Sequence, residues 1–144
     1  MSEVIATQVV ANVSCVALRG HAVLITGPSG SGKSSLALAL MDRGADLIGD
    51  DGVTLTQVGE LVIATPPPNT EGLIEIRNVG LLEVPTARAP VAIVIKLTAE
   101  AERLPLGHDT AHYLGREVPQ VALYPDTPFL ALRAEAALEM HGLD

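Results

Sequence analysis

The feature that most constrains this chain is a glycine-rich segment at residues 27–34, which reads Gly-Pro-Ser-Gly-Ser-Gly-Lys-Ser. It follows an apolar, β-branched stretch at residues 22–26 and precedes a run of helix-favouring residues at 35–41. A strand, a loop of the form G-x-x-x-x-G-K-S and a helix, in this order, are typical of a phosphate-binding P-loop. The sequence therefore predicts a nucleotide-binding loop within an α/β fold.

The residue types of this loop suit the binding of phosphate groups. Glycines allow the backbone to curl so that successive N–H groups point at phosphate oxygens, and the positive end of the following helix attracts anions. Lys33 is expected to contact the β- and γ-phosphates, and the Ser34 hydroxyl is expected to bind Mg²⁺. The predicted nucleotide-binding residues are Gly27, Pro28, Ser29, Gly30, Ser31, Gly32, Lys33, Ser34 and Ser35.

Length and charge narrow the class of protein. A chain of 144 residues fits a single domain over residues 1–144, with enough length for a hydrophobic core. Its net charge of −8 argues against nucleic acid and against an anionic membrane surface as partners. Cys15 is the single cysteine, so no internal disulfide can form, which fits a reducing compartment. With no signal-peptide pattern and no membrane-spanning apolar run, we expect a cytoplasmic protein.

Hydrophobic patterning predicts a strand-rich α/β domain. The first helix is expected to end at residues 42–44, with Gly44 as its C′ residue. A second helix is expected to begin at Asp126 or Thr127 as N-cap and to run to about His141. Residues 102–110 are predicted to be irregular, and Pro119 indicates that the last strand lies at a sheet edge. The predicted strands are residues 4–10, 14–18, 22–26, 45–49, 53–55, 61–64, 72–77, 81–84, 90–97 and 118–123.

Two adjacent carboxylates, Asp50 and Asp51, follow the predicted strand at residues 45–49. In a parallel sheet this strand end would lie beside the P-loop, where one carboxylate could hold Mg²⁺ and another could orient or deprotonate an acceptor hydroxyl. Adjacent strand residues point to opposite faces, so both can face the phosphates only if the strand breaks, which Gly49 and Gly52 would permit. An ordinary Asp-Gly turn is the alternative interpretation.

Glu75 and Arg77 occupy alternate positions of the predicted strand at residues 72–77 and so share one face. By themselves they fit an exposed ion pair, which would contribute little to stability.

Three stretches of the sequence together resemble the catalytic, C-terminal domain of bacterial HPr kinase/phosphorylase. They are residues 24–34, residues 43–51 (Arg-Gly-Ala-Asp-Leu-Ile-Gly-Asp-Asp) and residues 74–80 (Ile-Glu-Ile-Arg-Asn-Val-Gly). The match covers about residues 8–84, and the chain is similar to the short form of the family, which lacks the N-terminal domain. The resemblance implies a P-loop NTPase fold related to PEP carboxykinase, with a strand-rich mixed sheet, assembled as a hexamer.

The resemblance also implies a chemistry. The family uses ATP and Mg²⁺ to phosphorylate a serine of HPr, a carrier protein of the phosphotransferase system, and many members remove that phosphate by phosphorolysis. Asp51 would be the general base with Asp50 beside it, although which of the two acts as the base is left open. Glu75 would be a second metal ligand, Asp50 a further one, and Arg77 would help to shape the site. HPr would dock partly on a neighbouring subunit.

The chain departs from the family pattern at several positions. Asn12 stands where the family has a catalytic histidine, fifteen residues before Gly27. Ser35 stands where the family has an acidic residue, and Asn78 replaces a signature glycine. The arginine-rich loop that the family associates with phosphorolysis has no clear counterpart around residues 124–129. Because asparagine cannot carry a proton at neutral pH, these departures argue against phosphorolysis more than against phosphorylation.

Two alternatives to an HPr kinase stay open at this point. One is a nucleotide sensor that keeps the P-loop but has lost catalysis, which the residues at positions 12, 35 and 78 would favour. The other is a P-loop kinase with a different acceptor, which the altered C-terminal third would favour.

Overall fold

The computed structural model describes residues 4–125 and 127–144. The strands are β1 (Val4–Ala11), β2 (Ser14–Leu18), β3 (His21–Thr26), β4 (Asp46–Gly49), β5 (Gly52–Val58), β6 (Leu61–Thr65), β7 (Leu73–Ile76), β8 (Gly80–Glu83), β9 (Ala89–Leu97), β10 (Asp109–Tyr113) and β11 (Arg116–Leu123). The helices are α1 (Lys33–Asp42) and α2 (Leu130–His141). The fold is therefore strand-rich α/β, as predicted.

Strand β9 is the central strand of the main sheet. Its nine residues are almost all apolar and mostly buried, the pattern of a strand that is covered on both faces. It pairs in parallel with β3 along one side, and on the other side with β6 near its start and with β11 near its end. The sheet order is β1-β5-β6-β9-β3-β2-β4, with β10 joined through β11.

Hydrophobic clusters lie on both faces of this sheet. On one face, α1 and α2 pack through Leu36, Leu40 and Leu138 onto strand residues such as Ile25 and Ile95. On the other face, the curled strands β1, β5 and β6 cover β2, β3 and β9, with a cluster that includes Cys15, Leu24, Ile48, Leu55, Val62 and Val94. Fully buried side chains therefore cover both faces of the central strands.

The end of β4 lies at the same edge of the sheet as the P-loop. Strand β2 pairs antiparallel with both β3 and β4, so β3 and β4 run in the same direction with β2 between them. The sequence predicted this shared edge from a parallel sheet, whereas the structure reaches it in a mixed sheet with one antiparallel strand interposed. The two carboxylates that follow β4 are thereby placed near the loop that follows β3.

The C-terminal third contains two differences from the sequence prediction. Residues Asp109–Tyr113 form β10, for which no strand was predicted and whose first two residues belong to the stretch predicted to be irregular; β10 pairs antiparallel with β11. Strand β11 is not at a sheet edge, because β10 pairs with its first half and β9 with residues 120–123. Pro119 precedes the residues that pair with β9, so its missing N–H removes no hydrogen bond from that ladder.

The start of α2 also differs from the prediction. The helix begins at Leu130 with Phe129 as N-cap, in the left-handed conformation and without a side-chain cap. Asp126, one of the two predicted caps, lies outside the described residues. Thr127 is not the cap, since its hydroxyl donates to the Tyr124 carbonyl and accepts a hydrogen bond from Arg133. The predicted end of the helix at Gly142 is confirmed.

Strands β7 and β8 form a separate two-stranded hairpin. Ile74 is fully buried in the helical-side cluster and anchors the hairpin. All four residues of β8 are exposed, and Val79 and Leu81 are 79% and 71% exposed. The hairpin therefore packs against the rest of the fold through one of its faces, and its other face is exposed.

In the part of the chain that the structure describes, neither helix combines the length and the hydropathy that crossing a membrane requires.

Candidate functional site

An open cleft of about 500 Å³ lies at the carboxyl end of β3. One wall is the P-loop and the start of α1, and the other wall comes from three separate segments of the chain. The lining residues are Asn12, Gly27, Ser29, Gly30, Gly32, Lys33, Ser34, Ser35, Asp51, Glu75 and Arg77. The structure thus brings together most of the site residues that the sequence predicted, with Asp50 directly beneath Ser34.

The glycines of the P-loop are required by its backbone geometry. Gly27, Gly30 and Gly32 have φ angles of 152°, 82° and 98°, which side chains with a Cβ rarely adopt. A Cβ at Gly27 would lie 2.7 Å from the Ser31 hydroxyl oxygen and 3.0 Å from the Leu97 carbonyl oxygen. The loop is therefore pressed against the end of β9, and its curled shape depends on glycine.

Two polar side chains of the loop are available to an anion. Lys33 Nζ donates to the carbonyl oxygens of Gly27 and Pro28, at 2.8 and 3.1 Å, so its charge lies over the loop. The Ser31 hydroxyl is buried and, within residues 4–125 and 127–144, has no hydrogen-bond partner. A buried donor without a partner is costly, and a phosphate oxygen would relieve that cost. These contacts fit the predicted phosphate cradle.

Asp50 joins three elements through hydrogen bonds. Its side chain is buried, at 5% exposure, and its Oδ1 accepts hydrogen bonds from the Ser34 hydroxyl at 2.6 Å and the Ser14 hydroxyl at 2.8 Å. Its Oδ2 accepts from the backbone N–H of Glu75 at 3.2 Å. The carboxylate thereby links the start of α1, the start of β2 and strand β7.

Asp51 points differently from Asp50 because the strand breaks between them. Asp51 has a φ of 62°, is exposed, and lines the cleft. Gly49 permits this break, since a Cβ there would lie 2.1 Å from the Gly52 carbonyl oxygen. The break that the flanking glycines predicted is confirmed, and it leaves one carboxylate buried and the other in the cleft.

Asn12 lies beside Asp51 at the mouth of the cleft. Its backbone N–H donates to the Asp51 carbonyl oxygen at 3.1 Å, and its own φ is 63°. Both residue types tolerate the left-handed conformation better than most. Asn12, which stands where the family has a histidine, therefore faces the same space as Asp51, the candidate base.

Glu75 and Arg77 both line the cleft, but from different structural elements. Glu75 is exposed on β7, and Arg77 lies in the turn after β7, which ends at Ile76. Among the residues that the structure describes, the two side chains form no ion pair with each other. The prediction that the two side chains share one face of a strand is therefore wrong. Glu75 reaches the cleft from the strand, and Arg77 reaches it from the turn that follows.

The oxygen-bearing side chains of the cleft fit Mg²⁺ better than a metal ion that is coordinated entirely by protein side chains. Across the described part of the chain, no group of three or more His, Cys, Asp or Glu side chains could hold a metal ion. Mg²⁺ in nucleotide sites takes one or two protein ligands, with phosphate oxygens and water completing its coordination. The Ser34 hydroxyl and the exposed Glu75 carboxylate could provide such ligands.

Sequence reasoning did not assign Ser14 to the site. The sequence feature that could have indicated its role is a small polar residue at the start of β2, a strand whose five residues are all buried. Its neighbour Cys15 lies in the cluster on the other face of the sheet, where burial raises the pKa of the thiol well above its usual range. Cys15 is therefore a neutral core side chain.

Comparison with known proteins gives the family. The family model described as the HPr Serine kinase C-terminal domain matches residues 3–127. The HPr kinase/phosphorylases of Burkholderia lata and Burkholderia cenocepacia are each 32% identical over 163 aligned positions, which include the whole chain and 51% of each relative. The chain thus spans about half the length of these curated relatives.

A solved structure agrees with this result. The Hpr(Ser) kinase/phosphatase from Coxiella burnetii superimposes with a TM-score of 0.79 at 30% identity, over 93% of this chain and 90% of that one. The strand-rich mixed sheet is accordingly that of the HPr kinase fold. The chain belongs to the HPr serine kinase C-terminal domain family.

Proposed function

We propose that this protein is a kinase that transfers the γ-phosphate of ATP, in the presence of Mg²⁺, to a serine hydroxyl of HPr or a close analogue. The observation that supports this most is the position of Asp51, an exposed carboxylate that faces the P-loop across the cleft. A P-loop kinase needs both a phosphate cradle and a carboxylate that can reach the acceptor hydroxyl.

In the proposed reaction, Asp51 accepts the proton of the serine hydroxyl as its oxygen attacks the γ-phosphorus. The new O–P bond forms while the bond to the bridging oxygen of ADP breaks, so transfer is direct and no covalent enzyme intermediate forms. Lys33 and the backbone N–H groups of the loop stabilise the negative charge on the phosphate oxygens. Arg77, which lines the same cleft, would help to shape the site around the phosphoryl group.

The bound Mg²⁺ would neutralise phosphate charge during the transfer. We assign its protein ligands to Ser34 and Glu75. For Asp50 we propose an indirect part, because its oxygen atoms already accept three hydrogen bonds from protein groups. This division between a buried and an exposed carboxylate favours Asp51 over Asp50 as the base.

The acceptor and the assembly follow from family membership and are part of the proposal. HPr appears in the names of the relatives, and we extend it to this chain as an acceptor in the regulation of carbon metabolism. We further propose that residues 1–144 act as one cytoplasmic kinase domain in a homo-oligomer, a hexamer by resemblance. The net charge of −8 supports partners other than nucleic acid or anionic membranes.

A nucleotide sensor without catalysis is the second candidate, and Asn12 favours it. Asn12 lines the cleft next to Asp51, and its amide can hydrogen-bond a phosphate oxygen but cannot exchange a proton at neutral pH. We therefore leave phosphorolysis out of the proposed activity.

The experiment that tests the proposal is transfer of label from γ-labelled Mg-ATP to HPr of the same organism. Labelling that disappears when the acceptor serine of HPr is changed to alanine would support the kinase. Nucleotide binding with no labelling would contradict it and favour the sensor, whereas labelling of another protein would favour a different acceptor.

A further inference from the structure

Within the described part of the chain, Asp50 is the one residue of the candidate site to which the Ser14 side chain forms a hydrogen bond. Its hydroxyl donates to Asp50 Oδ1 at 2.8 Å, and the side chain is 1% exposed. The ladder between β2 and β4 ends at the pair Cys15–Gly49, and Ser14 and Asp50 are the residues adjacent to that last pair. The two elements thus hold the hydroxyl and the carboxylate together.

The carboxylate of Asp50 is held by hydrogen bonds rather than by a cation. Among the residues described, no Lys, Arg or His lies within ion-pair distance of it. Buried charges need partners, and here the partners are two hydroxyl groups and one backbone N–H. Ser14 therefore supplies one of the three hydrogen bonds that fix the orientation of Asp50.

That orientation controls the direction of the Ser34 hydroxyl. Ser34 has one hydroxyl hydrogen, which it donates to Asp50 Oδ1 at 2.6 Å. Once this hydrogen is directed at Asp50, the lone pairs of the oxygen face away from the carboxylate. A ligand oxygen with a fixed hydrogen binds a cation better than one that must reorient, because its partner orients it beforehand.

We propose that Ser14 is a positioning residue for cation binding at Ser34, acting through Asp50. This inference rests on the proposed function, in which Ser34 is a ligand of Mg²⁺. Loss of the Ser14 hydroxyl would leave Asp50 free to rotate away from Ser34, and the Ser34 hydroxyl would no longer be held in one direction. Binding of the metal would weaken, while the phosphate cradle itself would keep its shape.

The test is a double-mutant cycle read by nucleotide binding. The affinity for ADP is measured with and without Mg²⁺ in the wild type, in Ser14→Ala, in Ser34→Ala and in the double variant. In Ser14→Ala the gain in affinity that Mg²⁺ provides should fall roughly tenfold, with affinity in the absence of Mg²⁺ unchanged. Because Ser14 acts through Ser34, adding Ser14→Ala to Ser34→Ala should lower this gain no further.

Matched variants separate a positioning role from a general loosening of β2. Cys15→Ala removes a fully buried side chain from the next residue of the same strand, away from Asp50, and should leave the effect of Mg²⁺ unchanged. Should Ser14→Ala fail to fold, Ser14→Cys replaces the hydroxyl with a slightly larger group that is a weak hydrogen-bond donor, and it should show the same loss.

Two results would overturn the inference alone: an effect of Mg²⁺ in Ser14→Ala equal to that in the wild type, or additive effects of the two substitutions. A wild type that binds ADP no better with Mg²⁺ would instead overturn the proposed function, and the inference with it.

Discussion

The two walls of the cleft are built in different ways. The P-loop wall is one contiguous segment, residues 27–35, which follows β3 and continues into the first turn of α1, two elements whose inner side chains lie in the core. The opposite wall takes Asn12 from the end of β1, Asp51 from the break after β4, and Glu75 and Arg77 from the β7–β8 hairpin. The residues that would bind phosphate thus lie in one local motif, whereas those that would perform or orient the transfer are assembled by tertiary contacts.

This difference suggests that the two walls respond differently to mutation. Changes in the opposite wall should alter transfer or metal dependence and leave metal-free nucleotide binding intact. Changes in the P-loop backbone should reduce nucleotide binding itself.

The largest effect is expected for Asp51→Asn, which keeps the size of the side chain but removes the proposed base. Phosphate transfer should fall by about 10²–10⁴-fold, the contribution typical of a general base. Affinity for ADP should stay within roughly twofold, because no phosphate contact is lost. Transfer and binding are measured on the same preparation.

Asp46→Asn is the matched control for this prediction. It makes the same change of charge at an exposed position at the other end of β4, and transfer should be unaffected. If Asp51→Asn retained full transfer, the base would have to be another group and the assignment of Asp51 would be wrong.

The next effect concerns the anchor of the β7–β8 hairpin. Ile74 is fully buried, and Ile74→Ala should lower the free energy of unfolding by about 2–5 kcal/mol, since it leaves a cavity under β7. The Glu75 N–H that binds Asp50 would loosen as well. Nucleotide affinity should therefore fall when Mg²⁺ is present and stay unchanged when it is absent.

Chemical denaturation and the two binding curves check this prediction. Ile76→Ala, at a partly buried position of the same strand, should cost less stability and serves as the control. An equal loss of affinity with and without Mg²⁺ in Ile74→Ala would show that the two walls are not separable.

The sequence predicted the P-loop wall well because its information is local. The glycines, Lys33 and Ser34 lie within eight consecutive residues, and flanking patterns of strand and helix agree with them. The β2–β3 hairpin, which turns at Arg19 and Gly20, likewise depends on a local signal, a glycine between two apolar strands.

The division of roles between Asp50 and Asp51 could not be predicted in this way. It depends on partners that lie 36 and 25 residues away, the Ser14 hydroxyl and the Glu75 N–H. Strand β10 was missed because Asp109–Tyr113 is short and largely exposed, with Ala111 and Tyr113 as its apolar residues. The edge position of β11 was wrong because Pro119 affects one half of the strand, and the pairing with β9 occurs in the other half.

A smaller effect is expected for Gly27→Ala in the P-loop wall. The new Cβ would contact Ser31 and Leu97 at a φ of 152°, so the loop must shift or carry strain. Strain of about 1–3 kcal/mol would reduce ADP affinity roughly 5–150-fold, and the reduction should be the same with and without Mg²⁺.

Gly59→Ala is the control for this substitution. It places alanine at a φ of 61° in the turn between β5 and β6, where a Cβ meets no atom within 4 Å. It should cost some stability but no affinity for ADP. Unchanged binding in Gly27→Ala would show that the loop adapts and that its curled backbone is not what sets affinity.

The smallest effect is expected on the outer face of the β7–β8 hairpin. Leu81 is 71% exposed, so Leu81→Ser should change the free energy of unfolding by less than about 0.5 kcal/mol and leave nucleotide binding unchanged. Leu61→Ser, at a half-exposed leucine on β6 away from the cleft, gives the matched reference. A loss above 1 kcal/mol that grows with protein concentration would mean that Leu81 is buried between copies of the chain. The β7–β8 hairpin would then be packed on both of its faces. The contrast between the P-loop wall and an opposite wall that is packed through one face would then hold for the monomer alone.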